Sequence, residues 1–178
     1  MATRYGNANF ASTVVRATIG DLTALLAGDV PPWRWRRLRE CASGRLAADV
    51  LVLPHHGAEH IDDEVTLRDL LDLVTPSVIA ISVGSANQYR HPHIETLNTA
   101  GAWARENNAR LVCTQLNAAC AANAKINGGL EPHFACAGNV VIERDGMASR
   151  VVTARGAHSA FVDSLQAPRC APFPAVAW

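Results

Sequence analysis

The stretch "LVLPHHGAEH", Leu51 to His60, decides how this chain folds. An apolar run, Val50 to Leu53, meets a proline, two adjacent histidines and a glycine, with a third histidine at His60. A run that short and fully apolar reads as a strand in a sheet covered on both faces. Layered α/β proteins gather their ligands at the carboxyl ends of such strands. Neighbouring residues on a strand point to opposite faces. His55 and His56 therefore reach one site only if the backbone turns between them, which Gly57 permits. The alternative is one exposed histidine and one that is merely hydrogen-bonded.

Working outward, the same pattern recurs on either side. Upstream, "STVVRATIG" and "DLTALLAG" read as a hairpin with a Gly20-Asp21 turn. The second of these strands ends in Gly28-Asp29. Asp29 is placed either for a site or to cap the next helix, which opens on Pro31-Pro32 and stops near Gly44. Downstream, "IDDEVTLRDLLDLVTP" carries an apolar stripe of Val65, Leu67, Leu70, Leu71 and Val74. It predicts a helix capped by Asp62 or Asp63 and ended by Pro76.

"SVIAISVG" is a further buried strand, and it leads into "SANQYRHPH". "HPHIETLNTAGAWARENN" predicts a helix with Pro92 near its first turn, and "ARLVCT" the next strand. "NVVIERDGMASRVVTA" reads as a hairpin about Asp145-Gly146. Strands alternating with helices, with hairpins at both ends, make a mixed α/β layered domain over residues 1–155. An irregular Cys/His-containing insert falls at about 113–138, and a Pro/Ala-rich tail at 156–178.

Composition agrees with one domain. The 178 residues are 49% hydrophobic, and 16 basic residues balance 16 acidic ones. That is not the footprint of a dedicated nucleic-acid-binding domain, although "RWRRLRE" is a short basic run. No apolar run approaches the roughly 20 residues that span a bilayer, so no membrane association is expected. The first ten residues lack the apolar stretch of a signal peptide. Five cysteines without paired spacing suit a reducing compartment, which points to the cytoplasm.

Three consecutive strand ends thus deliver Asp29, then His55 and His56, then Arg90, His91 and His93. Carboxylate and imidazole groups are ligands for zinc or a similar metal, and an arginine beside two histidines suits an anionic group such as phosphate. The competing reading of the last loop is polar side chains bonding their own backbone. The insert offers a second set: Cys113, Cys120, His133 and Cys136, spaced C-x6-C-x12-H-x2-C. Three thiolates and an imidazole make a tetrahedral structural zinc site, while buried cysteines also serve as small hydrophobes.

These segments, taken in order over about residues 7 to 115, resemble the C-terminal half of a metallo-β-lactamase-fold hydrolase of the ComEC-like competence-protein type. "LLAGD", "VLPHHGA" and "SVGSANQYRHPH" carry the likeness, and the "CTQ" at Cys113 to Gln115 fits the strand that follows. The resemblance implies an αββα sandwich and a metal-dependent phosphodiesterase or nuclease. Asp29 would match the carboxylate that bridges two zinc or manganese ions, and His56 the last histidine ligand, with His55 the other candidate for that role. His55, His91, His93 and Arg90 would face the substrate.

The family's H-x-H-x-D-H signature is absent from this sequence. Its sole H-x-H, His91-Pro92-His93, continues with Ile-Glu, and Ala58 follows the HHG where the family often has serine. The resemblance therefore implies that about half of the sandwich and most of the metal ligands lie outside this polypeptide. A protein partner or a second copy is expected to cover the exposed sheet face. The competing function is a non-catalytic binding or assembly module with a structural zinc.

Overall fold

The computed structural model describes residues 8–59, 65–84, 87–122, 136, 138–145, 148–151 and 162–170. Its architecture is a mixed α/β layer. A five-stranded sheet, in the order β1-β2-β3-β4-β5, carries three helices, and a separate two-stranded ribbon pairs β6 with β7. The strands are β1 (Val15–Ile19), β2 (Leu22–Leu26), β3 (Val50–Val52), β4 (Val78–Ile81), β5 (Arg110–Cys113), β6 (Ile142–Asp145) and β7 (Ala148–Val151). The helices are α1 (Pro32–Ala42), α2 (Leu67–Val74) and α3 (Ile94–Glu106).

The first hairpin is antiparallel, with Val15 opposite Leu26 and Ile19 opposite Leu22. Every later pairing in the large sheet is parallel. Leu25 lies beside Leu51, Leu51 beside Ile79, and Ile79 beside Leu111. Each parallel step is bridged by one helix, as parallel strands require. Because side chains alternate across a strand, Leu25, Leu51, Ile79, Ile81 and Leu111 all face the helices. There they pack with Trp35, Leu70, Leu71, Val74, Leu97 and Trp103 in the main core. The opposite face presents Val50, Val78, Ala80 and Val112, packed with Leu22, Ala24, Val52, Val140 and Ile142. All four residues of β4 are buried, which is why its sequence is unbroken Val-Ile-Ala-Ile. Towards the outer hairpin the cover thins: Val15, Ile19 and Leu26 are exposed.

One expected helix start is corrected. The α2 helix is capped by Thr66, not by Asp62 or Asp63. Thr66 Oγ1 accepts the Asp69 N–H at 3.1 Å, and the Asp69 carboxylate accepts the Thr66 N–H at 2.8 Å. This reciprocal box satisfies two otherwise orphaned donors. Val65 before the cap and Leu70 after it are both buried in the same core and clamp the entry of the chain. Residues 60–64, including His60, lie outside the described residues. In α3 the N-cap is His93, with Pro92 directly before it and so near the first turn as expected, and the His91–Pro92 bond is cis.

Two further contacts tie distant segments to this frame. Asp49, just before β3, accepts both the backbone N–H and the hydroxyl of Thr23 at 2.8 Å, and its other oxygen meets Arg144 of β6 at 2.7 Å. Part of the Pro/Ala-rich tail, 162–170, straps across α3: Arg169 Nε donates to Asn98 at 3.1 Å and Arg169 N to the Cys120 carbonyl at 2.9 Å. Gly101 is the point of closest approach. A side-chain carbon there would collide with the Arg169 carbonyl.

Candidate functional site

The site is assembled at the carboxyl ends of β2, β3 and β4. After β2 the chain turns at Gly28, whose φ is 54° and whose missing side chain leaves room for the Thr13 carbonyl. The turn sets Asp29 at the rim. The Gly28 carbonyl accepts the His55 N–H at 2.8 Å, which fixes the end of β3 to the end of β2. His55 and His56 themselves adopt left-handed backbone, with φ of 51° and 54°, followed by Gly57 at 75°. Such conformations are costly for non-glycine residues and gather at functional sites. The bend needed to bring both histidines to one place is thus made by the histidines as well as by Gly57.

His56 Nδ1 lies 2.8 Å from the Ser82 carbonyl. A carbonyl only accepts, so Nδ1 carries the proton. In the neutral ring Nε2 is then a bare lone pair, and it stands 3.3 Å from Asp29 Oδ1. Two electron-rich atoms this close call for a cation between them, whether a proton or a metal ion. Two donors about 2.0–2.2 Å from a tetrahedral zinc would be roughly 3.3–3.6 Å apart. The separation fits. The same separation is that of a protonated His56 paired with the Asp29 carboxylate. Among the described residues, no group of three or more His, Cys, Asp or Glu side chains is placed to hold an ion.

His91 is the hub of the remaining histidines. Its ring lies 5.4 Å from those of both His55 and His93, and Tyr89 stacks on it at 5.8 Å. Its backbone is pinned by Asn87, whose side chain bonds both the N–H and the carbonyl, and by Asn117, whose amide donates to the same carbonyl at 2.6 Å. Burial, reinforced by the neighbouring His55, His93 and His56, pushes the His91 pKa below the usual imidazole value. The ring is neutral near pH 7, and its Nδ1 is buried without a hydrogen-bond partner. His93 N–H donates to the Gly57 carbonyl at 2.9 Å, and its ring faces Glu59 at 3.7 Å. Asn9 Nδ2 reaches His55 Nε2 at 3.3 Å.

The expected residues do not share one cavity. A cleft of about 290 Å³ is lined by His56, Ser82, Gly84, Asn87, Tyr89 and His91. A second, of about 550 Å³, takes Arg90 and His93 together with Asn87, Pro92, Glu95 and Asn117. Asn87 borders both. Arg90, exposed and with φ of 58°, thus opens beside the histidine cluster rather than into it. Asn87 belongs to the polar loop expected after β4, whereas Asn9, Glu59, Tyr89 and Asn117 were not anticipated. Asn87 bonds loop backbone three and four residues away, as polar loop side chains do, whereas Asn117 acts across 26 residues, which no spacing rule reports.

Of the expected zinc set in the insert, Cys113, Cys120 and Cys136 are buried, while His133 lies outside the described residues. The neighbouring Cys120 thiol, with burial, pushes Cys113 well above the usual thiol range. Its neighbour Cys113 draws Cys120 down to about 7, helped by the Asn117 N–H on its sulfur.

A layered α/β domain with carboxylate and imidazole groups at successive strand ends is thereby defined. Along its sequence the chain is 32% identical over 111 residues to the Competence protein ComA of Neisseria gonorrhoeae. That alignment takes in 62% of this chain and 15% of the relative, so the chain spans a small part of the relative's length. No protein-family profile and no solved structure matches it.

Proposed function

We propose that this domain is the C-terminal portion of a metallo-β-lactamase-type αββα hydrolase, acting on phosphodiesters. In this reading its zinc or manganese centre is completed by ligands from another polypeptide segment. The observation that carries the reading is the facing pair, Asp29 Oδ1 and His56 Nε2, with the other His56 nitrogen already committed to Ser82. The order of strand ends and the identity to a competence protein support it.

Asp29 and His56 would hold part of the centre. A catalytic zinc commonly takes three protein ligands, so this pair alone would bind metal weakly. When bound, the metal supplies an activated water and a Lewis acid. The chain's own residues do the rest. Neutral His91 lines the cleft beside His56 and keeps that wall of it uncharged. Arg90 and His93 in the adjoining cleft hold a phosphate oxygen by charge and hydrogen bonding. Tyr89, stacked on His91, keeps that ring oriented.

Calorimetric titration with zinc and manganese, and hydrolysis of bis(p-nitrophenyl) phosphate, test the reading. Both are run on the chain alone and with the products of adjacent genes. Metal uptake that disappears in Asp29→Ala and His56→Ala, together with hydrolysis in a reconstituted mixture, is the expected result. Biological activity that survives both substitutions would show a non-catalytic module instead.

A further inference from the structure

A third cleft, of about 350 Å³, shares no residue with the two histidine clefts. Its volume is at the lower end of small-molecule sites, roughly 300–1,000 Å³. Its walls are the segment before β1, the turn after β2 and one face of α1. The helix supplies the charge. Four of the chain's 16 basic residues, Arg34, Arg36, Arg37 and Arg39, fall on this 11-residue helix, against one acidic residue, Glu40. Arg34 and Arg37 are three residues apart and share a face of it. Both line the cleft, and among the described residues no Asp or Glu does. The Arg34 guanidinium lies 5.0 Å over the Trp33 ring, an attraction that steadies it there. Ser12 and Thr13 add two hydroxyl groups to the lining, and Val30 and Leu38 add an apolar wall. A merely solvated row of arginines would not meet hydroxyls and an apolar wall across a cleft. The Thr13 carbonyl also packs against Gly28, 3.2 Å from where a side-chain carbon would stand, so the cleft abuts the turn that sets Asp29.

We propose that this cleft binds a small phosphate ester, with the phosphate between Arg34, Arg37 and the Ser12 and Thr13 hydroxyls and the organic body against Val30 and Leu38. Guanidinium groups match phosphate oxygens with paired, charge-assisted hydrogen bonds. Two cations on neighbouring turns of one helix repel each other, and an anion between them offsets that cost. The apolar wall favours an organic phosphate over the inorganic ion, which would leave the wall uncovered. The site uses none of the residues of the histidine clefts, so the inference is independent of whether Asp29 and His56 hold metal.

Cys41 supplies the test, because it lines the cleft and is exposed while the other four cysteines are buried. The full chain is alkylated with iodoacetamide for timed intervals and cut with trypsin, which leaves Cys41 in its own peptide, Glu40 to Arg45. Three probes are compared at matched ionic strength: adenosine 5′-monophosphate, inorganic phosphate and adenosine. The monophosphate should slow Cys41 alkylation with a saturating dose dependence. Inorganic phosphate should do so only at higher concentration, and adenosine not at all. Arg37 is exposed, so Arg37→Ala should fold, and it should raise the half-protecting concentration about tenfold or more. Arg90→Ala, at the phosphate position proposed beside the histidines, should leave protection of Cys41 unchanged. Four outcomes overturn the proposal. Cys41 reacts at one rate with and without the monophosphate; adenosine protects as well as its monophosphate; inorganic phosphate protects at the same concentration as the ester; or Arg90→Ala rather than Arg37→Ala abolishes protection. The contrast among the three probes on the wild-type chain decides the matter even if a variant fails to fold.

Discussion

The side-chain amide of Asn117 donates to the backbone carbonyl of His91 at 2.6 Å, across 26 residues of chain. Asn117 is 5% exposed, and its own carbonyl oxygen accepts the Ala119 N–H at 3.0 Å. Asn117→Ala leaves the partly buried Ala119 N–H without that acceptor and removes one of the two amides on His91. The expected loss is about 1–3 kcal/mol in denaturant unfolding. His91 ring signals should broaden in NMR spectra. An unchanged midpoint and unchanged His91 signals would mean that the asparagine does not position the cluster.

Gly57 has φ of 75°, and a side-chain carbon there would sit 2.7 Å from Pro92 Cβ. Gly57→Ala therefore meets both backbone strain and a clash between the two histidine-bearing loops. Destabilisation on the order of 1–3 kcal/mol is expected. Gly57→Ser should do no better, since the first carbon is what collides.

Gly101→Ala poses a contest. Alanine favours a helix over glycine by about 1 kcal/mol, but here it strikes the Arg169 carbonyl. Release of the strap is the expected outcome, read as faster amide exchange in 162–170 with α3 still helical. Arg169→Ala, which removes the bonds to Asn98 and Ala119, should give the same signature without the clash.

Acid should weaken the fold in two stages. The folded-state pKa of His91 is lowered, so the unfolded chain takes up a proton first as pH falls below its ordinary value of 6.5, and stability declines from there downward. For Asp49, burial pushes the carboxyl up, but the bonds from Thr23 and Arg144 outweigh it and hold it below the usual 3.8. Its contribution is present above that value and is lost as pH falls through the folded one. His91→Asn should flatten the first stage, and Arg144→Ala should reduce the second. Urea midpoints across pH 3–7 separate them.

Thr66→Ala removes half of the α2 capping box, at a cost of about 0.5–2 kcal/mol. Asp62→Ala, the substitution suggested by the acidic run before the helix, should cost less, because the box is closed by Thr66 and Asp69. Equal losses would return the cap to the acidic run.

The large sheet was legible because its strands carried their own signatures: apolar runs ended by Gly-Asp, by His-His-Gly, by Ser-Val-Gly and, in β5, by Cys-Thr-Gln. The α2 cap was legible in principle, since Thr66-Leu-Arg-Asp69 is a capping box, but the nearer apolar stripe drew the boundary too early. The left-handed backbone at His55 and His56 was not legible. Sequence suggests such geometry at glycine, and here tertiary contacts from Gly28 and Ser82 impose it on imidazoles. The separation of Arg90 from His91 into adjoining clefts escaped for a similar reason. Residues neighbouring in sequence were read as neighbours in space, whereas positive φ at Arg90 turns the chain between them. The strap over α3 had no periodic pattern to announce it. It is held by hydrogen bonds at Asn98, Ala119, Cys120 and Ala122 and by close approach at Gly101, with Val162 and Cys170 buried at its two ends, rather than by a periodic apolar stripe.

After β1, every strand of the large sheet pairs with the strand before it in the chain. Such an arrangement needs no early segment to wait for a late one, and it keeps loop-closure costs low. As the chain leaves the ribosome, the sheet can therefore add one strand and one helix at a time. Asp29 and His56 meet as soon as β3 is in place, the His91–His93 loop joins once β4 has docked, and the strap over α3 is necessarily last. A ribosome stalled before residue 162 would already display the paired carboxylate and imidazole, but not the clasp that holds Cys120 and α3 together.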